Sequence, residues 1–263
     1  MEDFFKQFKD EQENKKKEHE LLMESQAYQQ EMKFFHKIIS DFITTINCIS
    51  IYSTRYQPLN ENSIMIRELE LILESIVGIS KQIEEGTLNP AKRELRFMLE
   101  SSVKYLLVDQ KTNGLTHEEK IHYFDKNIPS SSIDSITEIR FFGLNNEEVD
   151  EFRNDVKVLF SKLCQYVHPS KYQINEYLRR CQKGAFIGFE TQKEINDFNK
   201  LLFRILDIII VLLFEVLGFS FTGDLFIYVF DEIKDYKFKK GKYVSKYSKG
   251  YDYKAERKNI ASE

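Results

Sequence analysis

The sequence predicts an all-α fold, an up-and-down helical bundle, and three observations carry that prediction. Glycine (10) and proline (4) are scarce for 263 residues, while Leu, Ile, Lys and Glu abound, which favours long helices over turn-rich β structure. Apolar residues recur at intervals of three and four along much of the chain, the period of a helix with one buried face. Helix-start signals stand in front of several of these stretches, including Thr116 with Glu119 and Thr191 with Glu194, each a Thr-x-x-Glu capping box. A chain of this length holds one large domain or a core with extensions, and either buries a proper core.

At the N-terminus, Phe4, Phe5 and Phe8 begin an apolar stripe that the charged block 9–20 breaks before Leu21, Leu22 and Met23 resume it. A solvated helix or mobile arm is expected there. Over 32–51, Phe35, Ile38, Ile39, Phe42, Ile43, Ile46 and Ile49 make a wide amphipathic face that needs a partner. Pro58 breaks the pattern, because the residue before a proline is pushed out of the helical region.

Asn62 or Ser63 caps the next long helix, Ile66, Leu69, Ile72, Ile76, Ile79 and Ile83 form its buried face, and Gly86 stops it. A helix follows with Asn89 as N-cap and Pro90 in the first position, where its missing N–H costs nothing. The short connection makes these two an antiparallel hairpin. In the second of them Leu95, Phe97, Met98, Leu99, Val103, Tyr105 and Leu106 wrap most of the circumference. Arg93, Arg96, Glu100 and Lys104 fall on one arc of roughly 80°. The pattern is that of a central helix with a single charged stripe.

Thr116 opens a short helix carrying Ile121, Tyr123 and Phe124, and 126–146 reads as a loop with at most a turn or two of helix. Asn145 or Asn146 caps a helix over 147–168 that buries Val149, Phe152, Val156, Phe160, Leu163 and Val167, and Pro169 ends it. A shorter helix runs through Ile174, Tyr177 and Leu178, an aromatic loop follows over 184–189, and Thr191 opens a long apolar helix to Leu217. A last amphipathic segment spans 225–236. The organisation expected is an N-terminal helical extension (1–58), a helical bundle (59–235) and a basic, Tyr-rich flexible tail (236–263).

Location and chemistry are bounded more loosely. Cys48, Cys164 and Cys181 have neither CxxC nor CxxxH spacing, so they read as reduced, buried thiols of a cytoplasmic protein and not as a disulfide framework or a zinc site. The first residues lack the basic and apolar regions of a secretory signal. The apolar run 201–219 is interrupted by Arg204, Asp207 and Glu215, which makes it a core helix and not a membrane span. No glycine-rich nucleotide fingerprint, HExxH, GxSxG or kinase signature occurs, and neither a metal nor a cofactor is expected.

Three features are candidates for function. The stripe Arg93, Arg96, Glu100 and Lys104 is either a solvated edge with i,i+4 ion pairs or a phosphate patch in which an Arg fork takes two oxygens. The solvated edge is preferred, since a charged stripe on an otherwise apolar helix faces water by default. The second feature is His168, which ends its helix where the macrodipole favours the charged imidazole. It is either a solvated, capping histidine or a phosphate-binding or general acid/base group. The third is the tail, where 237–258 carries nine Lys or Arg against two acids in a chain of net charge −4. Lys239, Lys240 and Lys242 with Tyr243 and Tyr247 would neutralise phosphates and stack on unpaired bases, or else the segment is a disordered, solubilising terminus.

Two segments together carry a family likeness. Arg96 to Glu100 followed by Tyr105-Leu106, and Ser161 to Ser170 with its Tyr166-Val167-His168-Pro169-Ser170 end, resemble the helical HEPN-type domains of bacterial abortive-infection and toxin proteins. The likeness covers at most 60–220. It implies an RNA-binding or metal-independent RNA-cleaving protein of anti-phage defence, acting as a homodimer. The implied catalytic residues are His168 and Arg96, with Glu100 orienting one of them and Arg93 and Lys104 binding nucleic acid. The family's usual pair, an Arg closely followed by a His on one helix, is absent here: the nearest arginine before His168 is Arg153. The alternative is a non-catalytic helical scaffold that binds a helical protein partner. The RNA reading further expects the helices of Arg96 and His168 to pack side by side, with axes about 8–10 Å apart and the histidine reaching the stripe.

Overall fold

The computed structural model describes residues 2–129, 132–182, 188–254 and 256–257. Twelve α-helices and no strand occur among them, so the fold is all-α. α1 (Glu2–Glu24) and α2 (Gln26–Ser53) lead to the short α3 (Gln57–Asn62) and α4 (Ile64–Arg67), then α5 (Leu69–Glu84), α6 (Leu88–Lys111) and α7 (His117–Asn127). After a 3-10 turn at Asp134–Thr137 come α8 (Asn146–Cys164), α9 (Lys171–Gln182), α10 (Gln192–Leu217), α11 (Phe219–Leu225) and α12 (Lys242–Lys249). A π turn (Phe226–Phe230) and a 3-10 turn (Lys237–Lys240) join the last two.

Helix starts follow the sequence closely. Asn145, Thr116 and Thr191 each accept from the backbone N–H three residues on, and Glu148, Glu119 and Glu194 reach back to the cap. Ser63 caps α4, but the helix expected to run on to Gly86 breaks at Glu68 (φ −94°, ψ 12°) into α4 and α5. Gly86, at φ 65°, closes α5 in the left-handed conformation that a glycine adopts without strain. Gly86 N–H donates to Ile83 O and Thr87 N–H to Gln82 O, the double return of a Schellman turn. The chain therefore enters α6 at Leu88 and not at Pro90. Pro90 fits within the first turn because the first four N–H groups of a helix have no intrahelical partner.

α6 is central, as its wrapped apolar surface predicts, and it shares that place with α10. α10 buries residues on all sides from Ile195 to Leu217 and packs against α2, α4, α6, α8, α11 and α12, while α6 packs on α4, α5, α7, α8, α10 and the Asp134–Thr137 turn. α2 is consequently part of the bundle, and the boundary expected at residue 58 does not divide it. Among the described residues no helix is long and apolar enough to cross a membrane. The acids that interrupt α10 serve as anchors instead. Asp207 accepts from the N–H groups of Tyr243 (2.8 Å) and Val244 (3.0 Å), and Glu215 accepts from Phe142 and Gly143 N–H.

The expected flexible tail is folded as far as it is described. Tyr243, Tyr247 and Tyr251 are 2 %, 0 % and 0 % exposed, and Phe238 and Val244 are buried with them. The reason is their spacing: Tyr243, Val244, Tyr247 and Tyr251 share one helical face, and that face closes over Phe152, Phe214 and Phe226. Gly241 lies so close to Asp207 that a Cβ would sit 2.0 Å from its carboxylate. In place of the helix expected over 225–236, α11, a π turn and an irregular stretch bring Tyr236 onto α2, where its hydroxyl meets Thr45 at 2.6 Å. Residues 183–187 of the expected aromatic loop lie outside the described residues.

Candidate functional site

α6 and α8 pack side by side, and the charged stripe of α6 lies at their junction instead of in water. Arg96 Nη1 meets Glu100 Oε2 at 2.8 Å and Lys104 Nζ meets Glu100 Oε1 at 2.6 Å, with side chains only 15 %, 11 % and 7 % exposed. Each carboxylate oxygen has its own cation. The Arg96 guanidinium also donates through Nε to Cys164 Sγ (3.4 Å) and lies 4.7 Å from the centre of the Phe160 ring. The preferred solvated reading of this stripe is therefore overturned for three of its four members. The same contacts commit Arg96, Glu100 and Lys104 to one another, and Arg96 to α8. Arg93 alone stays exposed at the edge, its Nε donating to Tyr166 O at 2.8 Å.

His168 does not reach the stripe. α8 ends at Cys164, where Tyr166 N–H returns to Leu163 O and Val167 N–H to Cys164 O. These tight turns swing the chain away from the helical register that would have placed His168 beside Ser161. The imidazole is exposed and makes no hydrogen bond with Arg96 or Glu100. Tyr166, on the same turn, is buried, and its carbonyl is shared by Arg93 and by Gln173 Nε2 (3.0 Å).

A different constellation forms one turn earlier on α6. Lys92 is buried with Nζ 4.1 Å from the centre of the Tyr166 ring and 3.7 Å from Glu176 Oε1 of α9. Burial pushes its ammonium pKa down, and Glu176 works against that. Arg180 of α9 approaches Glu190 (3.7 Å) and Glu194 (3.4 Å). Glu190 is itself buried, which raises its carboxyl to about 7. Beside this cluster α6, the end of α8, α9 and the first half of α10 enclose a cleft of about 380 Å³. Lys92, Lys162, Arg179, Lys200 and Arg204 line it against Glu176, Glu194 and Asp197. All these cations except Lys92 are exposed, and Tyr172, 48 % exposed, stands at the rim with its edge toward Tyr166. Sequence reasoning missed Lys92, although it stands four residues before Arg96 and extends the same stripe. It missed Tyr166 as a core residue because the helix was continued past Cys164.

The tail supplies less than its composition promised. The rings of Tyr243 and Tyr247 are in the core and have no face for a base. Lys242 bridges Asp155 (2.7 Å) and Glu151 (2.8 Å), and Lys239 Nζ donates to Asp231 O (2.9 Å). Lys240 is exposed. Comparison with protein-family models, curated proteins and solved structures finds no match.

Proposed function

We propose that the chain binds RNA along the cleft between α8, α9 and α10, and that this binding serves the anti-phage defence that the HEPN-like likeness implies. The observation that carries the reading is the convergence of Lys162, Arg179, Lys200 and Arg204 around the buried Lys92 and Tyr166, in a chain of net charge −4. Exposed cations at a cleft rim neutralise successive phosphates and release their counterions. Tyr172 offers a ring at the same rim, and a base stacked on such a ring contributes about 1–3 kcal/mol. Cleavage, if it accompanies binding, falls to His168 with Arg93, which flank the Tyr166 turn, and not to Arg96.

Anisotropy of a labelled single-stranded RNA tests this. The double variant Lys162→Glu, Lys200→Glu should bind more weakly, and the slope of log K against log salt should flatten by about 0.7 per lost contact. Affinity and slope equal to those of the unaltered protein would remove the cleft as the binding surface. Incubation of RNA in EDTA tests the chemistry separately: His168→Ala should abolish any cutting and keep the binding. A protein partner is the second reading, and it is favoured by the outward apolar face of α9, where Ile174, Tyr177 and Leu178 are 58 %, 65 % and 50 % exposed.

A further inference from the structure

A second and larger cavity, of about 750 Å³, opens between α3, the C-terminal end of α6, α7, the 138–140 segment and the end of α10. We propose that it binds a small organic anion, a carboxylate or similar head on a hydrocarbon body. Its volume is that of a small-molecule site, and such sites combine apolar walls with a few placed polar groups. Leu59, Leu106, Leu115 and Val216 supply apolar wall.

The sign of the ligand follows from how the charges that line the cavity are used. Asp109 is saturated: it accepts from Ser63 Oγ (2.6 Å), Ile64 N (3.0 Å), Met65 N (3.1 Å) and Lys120 Nζ (2.8 Å). Glu215 is held by Phe142 and Gly143 N–H, and Glu138 by Lys111 at 3.0 Å. The acids thus have their partners. Lys111 is spent on Glu138, but two other cations keep donors to spare. Lys120, 5 % exposed, makes one hydrogen bond with an ammonium that has three N–H groups. Arg140 is pinned by its backbone, which exchanges two hydrogen bonds with the Gln110 amide (2.8 and 2.9 Å). Its guanidinium makes no hydrogen bond or ion pair among the described residues. The surplus capacity of the cavity is for accepting atoms, which is what an anionic head offers.

Lys120 is also in an unusual place for a merely structural residue. It is the buried residue of α7, a helix that leaves Ile121 exposed. A buried ion pair is often no better for stability than apolar side chains of the same volume. Departures of this kind from local preference collect at functional sites. Here the departure keeps a cation facing a cavity.

The test uses the full chain and the fluorescent aromatic sulfonate 8-anilinonaphthalene-1-sulfonate as probe. Saturable binding at one site is expected, with octanoate displacing the probe and inorganic phosphate at equal concentration failing to. Arg140→Glu and Leu115→Glu, both at exposed positions, should each weaken binding by about tenfold, the equivalent of one charge-assisted hydrogen bond or a lost apolar wall. Leu178→Asp, on the apolar face of α9, should leave it unchanged. The proposal is overturned if binding is unsaturable, if Arg140→Glu and Leu115→Glu bind like the unaltered protein, if only Leu178→Asp abolishes binding, or if phosphate competes as well as octanoate.

Discussion

Glu100 holds two cations that its absence would leave buried. Removing one partner from a buried ionic set is far more damaging than replacing the whole set by apolar residues. Glu100→Ala should therefore lower the free energy of unfolding by about 3 kcal/mol. Arg93→Ala, at the exposed edge of the same helix, removes one hydrogen bond to Tyr166 O, which Gln173 still serves, and should cost only about 1 kcal/mol. Urea titrations of the two variants measure the contrast, and equal losses would contradict the buried arrangement. Three other acids set the pH dependence. Burial raises Glu190 to about 7, Asp207 to about 6 and Glu215 to about 7. A carboxyl whose folded pKa exceeds its unfolded one keeps its proton longer in the native state, so its contribution is complete below the ordinary carboxylate range and is lost as pH rises through 6–7. The urea midpoint should fall between pH 5 and pH 8, and Glu215→Gln should make that fall shallower. A midpoint that rises over this interval would refute the assignment. At this scale the sequence shows which side chains share a helical face, as it does for Arg96, Glu100 and Lys104. It does not show which neighbour covers that face, and that is why the stripe reads as solvated.

Helix α12 shows what a segment's composition hides. Nine basic residues drew attention to charge over 237–258, while the Tyr243, Tyr247, Tyr251 spacing of four was equally visible and specifies a buried face. Each fully buried aromatic side chain is worth about 3–5 kcal/mol against alanine, and a whole domain is stable by only about 5–15 kcal/mol. Truncation after Tyr236 should accordingly abolish cooperative unfolding, read by thermal circular dichroism, and Tyr247→Ala should cost about 3–5 kcal/mol. A truncated chain that melts like the full one would restore the flexible tail. Gly241→Ala should also destabilise, since the added methyl displaces Asp207 from the first turn of α12. The starts of the helices with capping boxes were legible nearly to the residue. Where a helix broke without a proline or glycine, as at Glu68 and after Cys164, nothing in the local sequence marked it.

Across the whole molecule α10 brings the first and last thirds of the chain together, packing on both α2 and α12. Asp41 of α2 accepts from Lys237 N–H at 2.8 Å, and Glu31 of α2 takes Asn196 and Asn199 of α10. A chain beginning at residue 59 should lack the α2 wall of α10 and fail to give a compact monomer on gel filtration. One beginning at residue 25 keeps α2 and should elute as a folded protein. Recovery of the shorter chain in folded form would restore the boundary at residue 58. Local periodicity predicted the helices well, whereas the long-range pairing of 31–45 with 196–237 has no local signature and emerged only with the three-dimensional arrangement.

That pairing has a consequence for synthesis. The long apolar helix α10 leaves the ribosome before the residues that close over it, with Tyr251 following Leu217 by roughly 2–7 s at about 5–20 residues per second. During that interval α2 and α6 are already present, but Asp207 has no α12 to cap and Phe214 no Tyr247 to meet. The nascent chain thus carries for that interval an uncovered apolar face, and a product released within 218–250 should aggregate where the full chain does not.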